Sequence, residues 1–170
     1  TRYFGSKKKM LPVLEAVFKD INFNSACDVF GGTGVVSHLL MSMGKDVHYN
    51  DAFKFNSIIA KVLLSGKNTL PPKSEVFDFL DSVKPRLGFI SKNFDSIFYK
   101  KLENKWLDGF CKKNIERTDK IADIAFYGVS QAALMKRPFN LFHRANLYLR
   151  TNEVERNFGN ATTWEKTFVA

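Results

Sequence analysis

The sequence predicts an α/β fold that opens as the start of a parallel, doubly wound sheet and continues as a mainly helical region. Three observations predict it. The first 66 residues run in a β-α-β-α order, a glycine cluster marks the first strand-to-helix turn, and helical periodicity fills the chain from a Pro-Pro connector to about residue 136. A parallel sheet needs more than two strands. Either the helical region is an insertion, or residues outside this chain complete the sheet. The expected division is 1–66 and 67–170.

The elements follow from local pattern. Residues 7–19, KKKMLPVLEAVFK, place Met10, Leu11, Leu14, Val17 and Phe18 on one helical face, with Pro12 early, where a helix tolerates it. Residues 26–30 read as a short buried strand that ends at Gly31-Gly32-Thr33-Gly34. A helix over 35–43 is stopped by Gly44, a second strand covers 45–51, and a second helix over 53–66 is ended by Gly66. After the connector KNTLPPKS, helices are expected near 75–83, 93–112 and 118–136, with Pro85 and Gly88 separating the first two. The last carries Ile121, Ile124, Ala125, Val129, Ala132 and Ala133 on one face and is ended by Pro138. Trp106 and Tyr127 are assigned to helix packing, and NLFHRANLYLRT reads as irregular or extended.

Composition narrows the class. At 170 residues and 45% apolar content the chain can bury a real core, and no apolar run approaches the roughly 18–20 residues of a membrane span. The opening TRYFGSKKKM has no signal-peptide core behind it, and its lack of an initiator Met suggests a trimmed chain. Cys27 and Cys111 lie far apart without metal-ligand spacing, as expected of reduced thiols in a cytoplasmic protein. The net charge of +9 and pI near 9.6 favour a polyanionic partner, although a basic surface that only keeps the protein soluble gives the same numbers.

The glycine turn is the first candidate site. Gly32-x-Gly34 would begin a dinucleotide fingerprint, but Ser37 stands where that pattern wants a third Gly or Ala. Asp51 follows Gly34 by seventeen residues and closes the second strand. There a carboxylate can accept hydrogen bonds from both free ribose hydroxyls of an adenosine, or can cap the helix that begins at Phe53. Phe30, just ahead of the glycines, could pack on a cofactor.

With Asp28, the loop reads D-x-F-x-G-x-G, a string that resembles the first motif of S-adenosylmethionine-dependent DNA methyltransferases. The opening RYFGSK followed by KKMLP resembles the N-terminal motif of the adenine-N6 group that includes the DNA adenine methylases. That resemblance implies a Rossmann-like methyltransferase lobe with S-adenosylmethionine as cofactor. Tyr3, Gly5 and Lys7 would hold the methionine end, Lys7 pairing with its carboxylate and Lys8 or Lys9 able to substitute. Asp28, Phe30, Gly32, Gly34 and Asp51 would form the rest of the pocket. Arg137 to Phe168 resembles the segment that such enzymes carry ahead of their catalytic motif, so the likeness spans nearly the whole chain.

That catalytic motif, D/N-P-P-Y/F, is absent from the sequence. The Pro-Pro in TLPPKS has Leu70 before it and Lys73 after it, which leaves neither acceptor nor aromatic. The expectation is therefore an N-terminal portion of a restriction–modification methyltransferase, inactive alone, with no catalytic residue in this chain. A companion polypeptide could carry the motif. Double-stranded DNA is the expected partner, with Lys136, Arg137, Asn140, Arg144, Arg150, Arg156 and Asn160 as candidate contacts among aromatics that can equally be core. A non-catalytic recognition subunit and an RNA methyltransferase are the competing readings. The expected setting is the bacterial cytoplasm, with no membrane association.

Overall fold

The computed structural model describes residues 7–66, 70–95, 97–136 and 166–169. The chain divides into two compact units, Thr1–Leu70 and Pro71–Ala170. The break falls at Leu70, within the connector, rather than at residue 66.

In the first unit a short 3-10 helix, Lys7–Met10, leads into α1, Leu11–Lys19, with Pro12 in its first turn. Pro12 has no N–H to leave unsatisfied there, so it starts the helix at no cost. Strand β1 is Ser25–Asp28, α2 is Val35–Ser42, β2 is Asp46–Tyr49 and α3 is Lys54–Leu63. The strands pair in parallel, Ser25 with Asp46 through to Asp28 with Tyr49. Parallel neighbours need a crossover, and α2 supplies it. Both strands are shorter than their apolar runs, because at Asp28 and Tyr49 the chain turns out of the ladder to build the loops described below.

Burial alternates along each strand, with Ala26, Asp28, Val47 and Tyr49 on the partly covered face and Cys27 and His48 exposed. Leu39, Leu40, Ile59 and Ala60 are the buried apolar residues on α2 and α3. The α1 face is narrower than its periodicity suggests: Leu11, Leu14 and Phe18 are half-buried, whereas Met10 and Val17 stay exposed.

The second unit is helical: α4 Lys73–Asp81, α5 Phe89–Asn93, α6 Lys101–Ile115 and α7 Lys120–Met135. Its core is Phe79, Leu80, Val83, Tyr99, Leu107, Phe110, Ala125, Val129 and Phe168. Trp106 stacks on Phe110 at 5.7 Å and on Phe168 at 5.4 Å between ring centroids, with the rings close to parallel. Residues 166–169 thereby return to the helical core. Asp119 caps α7 by accepting from the Ala122 N–H at 3.0 Å. Among the described residues no helix is long and apolar enough to cross a membrane.

The helix expected over 93–112 begins only at Lys101, as α6, and Phe89–Asn93 ahead of it is a separate short helix, α5, held by side chains distant in sequence. Asp108, buried on α6, accepts from the Ile90 N–H at 2.9 Å, the Ser91 N–H at 2.8 Å and the Ser91 hydroxyl at 2.5 Å. It thus caps α5 from another helix. Asn104 Nδ2 donates to the Phe94 carbonyl at 2.9 Å, holding the end of α5, and Glu103 Oε2 accepts from the Lys100 N–H at 2.8 Å at the start of α6.

Burial pushes the Asp108 carboxyl up, but the Ser91 hydroxyl and the N–H groups of Ser91, Ile90 and Gly88 outweigh it and leave it lowered. A lowered folded-state value means that the ionised carboxylate stabilises the fold above the unfolded value of about 4, and that this contribution fades as pH falls through the folded value. Asp108→Ala should therefore cost about 3 kcal/mol at neutral pH, since it orphans several donors. In urea titrations the gap between wild type and variant should close as pH drops below about 4.

Candidate functional site

The site is built where the two strands stop. Strand β1 ends at Asp28, and the chain enters the turn Val29–Gly34. Its backbone is tied to the end of β2 by the Asn50 N–H to the Asp28 carbonyl and the Gly31 N–H to the Asn50 carbonyl, both 2.9 Å. Gly32 and Gly34 take positive φ, 53° and 72°. An L side chain there would be strained, so glycine is what lets the turn double back into α2. Gly31 is required for a different reason. A Cβ on it would lie 2.2 Å from the Tyr49 ring, and that ring's hydroxyl donates to the Gly32 carbonyl at 2.7 Å. Tyr49 thus lies against the glycine turn and fixes its path.

Two carboxylates stand at this turn. Asp28 Oδ2 accepts from the hydroxyl of Ser37, which is buried on α2, at 2.6 Å. The residue that departs from the dinucleotide pattern is therefore the one that orients Asp28. Asp51 accepts from the Gly32 N–H at 2.8 Å on Oδ2, and from the Phe53 N–H at 2.9 Å and Asn56 Nδ2 at 3.0 Å on Oδ1. The Phe53 N–H first, then Asn56, with Gly32 adding to them against desolvation, hold its carboxyl below the usual range. Asp51 is therefore firmly ionised at neutral pH. It turns the chain into α3 as a capping residue would, and it also braces the glycine loop.

Lys7, Asp28, Phe30, Gly31, Gly32, Thr33, Val35, Val36, Asp51, Ala52 and Phe53 enclose one cleft of about 220 Å³. Five of the expected cofactor residues, Lys7, Asp28, Phe30, Gly32 and Asp51, are brought together there. Gly34 instead sits at the start of α2 and steers the chain. Tyr3 and Gly5 lie outside the described residues. Phe30 and Phe53 are 82% and 69% exposed, two large rings at one opening. The sequence reading missed Phe53, Ser37, Tyr49 and Asn56. For Phe53 a signal was available, an aromatic two residues past the strand-ending acid; for the others only the folded packing shows it.

On the expected nucleic-acid face, Arg137, Asn140, Arg144, Arg150, Arg156 and Asn160 lie outside the described residues. Lys136 requires a correction. It is 2% exposed, its Nζ is 2.7 Å from Glu103 Oε1, and it donates to the Lys166 carbonyl. Its ammonium is neutralised inside the helical unit and is not presented to a phosphate.

Comparison with known proteins bears on these residues. A family model described as D12 class N6 adenine-specific DNA methyltransferase matches residues 3–168. The chain is 30% identical over 144 residues to Type II methyltransferase M2.HphI of Haemophilus parahaemolyticus, a match that takes in 82% of this chain and 41% of that protein. The chain thus spans less than half the length of this relative. No solved structure gives a significant match.

The glycine turn makes separable demands. Gly31→Ala should destabilise the protein by at least about 2 kcal/mol, because the new methyl meets a ring that the fold holds in place. Gly34→Ala should cost about 1–2 kcal/mol, the backbone penalty alone. Chemical denaturation of the two variants beside wild type checks the order.

Proposed function

Because the chain belongs to the D12 class N6 adenine-specific DNA methyltransferase family, we propose that the cleft between the glycine turn and Asp51 is its S-adenosylmethionine site. The enzyme it serves is a site-specific DNA methyltransferase of the restriction–modification type, built on a Rossmann-like lobe and acting in a bacterial cytoplasm. The observation that carries this reading is the convergence of Lys7, Asp28, Phe30, Gly32 and Asp51 on one cleft.

The donor set fits this cofactor. S-adenosylmethionine supplies a methyl group made electrophilic by the sulfonium that bears it. Two carboxylates and one ammonium line the cleft, matching a ligand that carries two positive charges and one carboxylate. A dinucleotide would bring its pyrophosphate to the glycine turn beside Asp28, a like-charge arrangement that opposes binding. Lys7 pairs with the methionine carboxylate. Asp28, oriented by Ser37, faces the cationic end, and Asp51 accepts from the ribose. Phe30 and Phe53 give apolar walls for the adenine ring. Tyr3 and Gly5 complete the methionine end by the family motif.

The cleft volume falls below the range of about 300–1,000 Å³ common for small-molecule sites. That is in keeping with a pocket to which other residues contribute a wall. The sequence has no D-P-P-Y string, so in the enzyme reading the groups that accept hydrogen bonds from the adenine N6 amine are supplied from outside these 170 residues. Of the expected contacts, Arg137, Asn140, Arg144, Arg150, Arg156 and Asn160 serve duplex DNA, and Lys136 does not. The missing motif equally suits a recognition subunit with no activity of its own.

Isothermal titration separates these readings. The chain should bind S-adenosylmethionine and not NAD, and Asp51→Ala should weaken binding by about tenfold or more. No heat with S-adenosylmethionine would overturn the cofactor assignment. With labelled cofactor, the chain alone should transfer no methyl group to duplex DNA or to RNA. Supplying the D-P-P-Y segment should restore transfer to DNA adenine; transfer to RNA only would remove the DNA claim.

A further inference from the structure

The hydrogen bonds already made by Asp51 limit what it can accept from a ligand. An ionised carboxylate offers about four in-plane acceptor positions, two on each oxygen. Three are filled from within the protein: Oδ1 by the Phe53 N–H and by Asn56 Nδ2, and Oδ2 by the Gly32 N–H. The backbone donors are fixed by the turn at Phe53 and by the glycine loop. The third donor is a side chain that is 98% buried at the start of α3, Asn56 being 2% exposed. Among the described residues none fills the fourth position, on Oδ2. A ribose presents two adjacent hydroxyls, and a carboxylate with a free pair of positions would take both.

We propose that Asn56 is a positioning residue that occupies the second acceptor position of Asp51 Oδ1 and so restricts this carboxylate to one ribose hydroxyl of the bound nucleoside. The inference rests on the reading of the cleft as an S-adenosylmethionine site and sharpens it. Recognition of the ribose is then unequal at its two hydroxyls. It departs from the symmetric contact that the sequence suggests for Asp51.

The test uses the full chain and S-adenosylhomocysteine with its 2′-deoxy and 3′-deoxy analogues, compared by isothermal titration. In wild type, one analogue should bind about tenfold or more weaker than the parent, and the other within about twofold. Asn56→Ala vacates the second Oδ1 position, so the analogue that wild type tolerates should now lose affinity relative to the variant's own parent ligand. A purely structural role for Asn56 would weaken all three ligands in proportion. Equal losses for both analogues in wild type, or no loss for either, would overturn the proposal without any variant having to fold. Failure of S-adenosylhomocysteine itself to bind would overturn the cofactor reading as well, so the two failures are distinguishable.

Discussion

The parallel register of β1 on β2 sets everything at the cleft. With Asp28 level with Tyr49, the glycine turn leaving one strand and the loop leaving the other emerge side by side. Their backbones can then bond through Asn50. Only in that register does the Asp51 carboxylate reach the Gly32 N–H while still turning the chain into α3. A shift by one residue would reverse the facing of every strand side chain. Tyr49 would leave the glycine turn, and Asp28 would leave Ser37. The geometry of the site is thus a property of strand pairing first and of side chains second.

In the helical unit the organising contacts are polar groups in an apolar surround. Asp108 ends one helix problem by capping α5 from α6, and Glu103 serves two ends at once, the Lys100 N–H at the start of α6 and the Lys136 ammonium at the end of α7. A buried ion pair of this kind adds little net stability compared with well-packed apolar groups, yet losing one partner leaves a charge stranded. Its value is in fixing which helix ends meet. The aromatic column of Phe110, Trp106 and Phe168 supplies the apolar part of the same junction.

Much of the candidate cleft is legible in the sequence because its parts follow strand ends at short, fixed spacing. The glycines, Asp28 and Asp51 each stand where a β-α turn must place them, and the helix over 118–136 was readable from its apolar period. Where the reading failed, the deciding partner was distant in sequence. Lys136 looks like the first of a basic cluster, and nothing nearby reveals Glu103, which neutralises it. The short helix ahead of α6 is held by Asp108 and Asn104 bonding backwards, which no local propensity reports. Ser37 looked like a mismatch to one motif, although a hydroxyl at that position is what holds Asp28. Asn56 was invisible for the same reason, since its role exists only through Asp51.

The contact of Lys136 with the Lys166 carbonyl has a consequence of another kind. Two points thirty residues apart in sequence are fastened together on the core, one through Glu103 and the other through the stacked ring of Phe168. The stretch between them therefore begins and ends at the same place on the helical core. The end of α7 and the returning segment at Phe168 are thus held at one place by a polar fastening and an apolar one together.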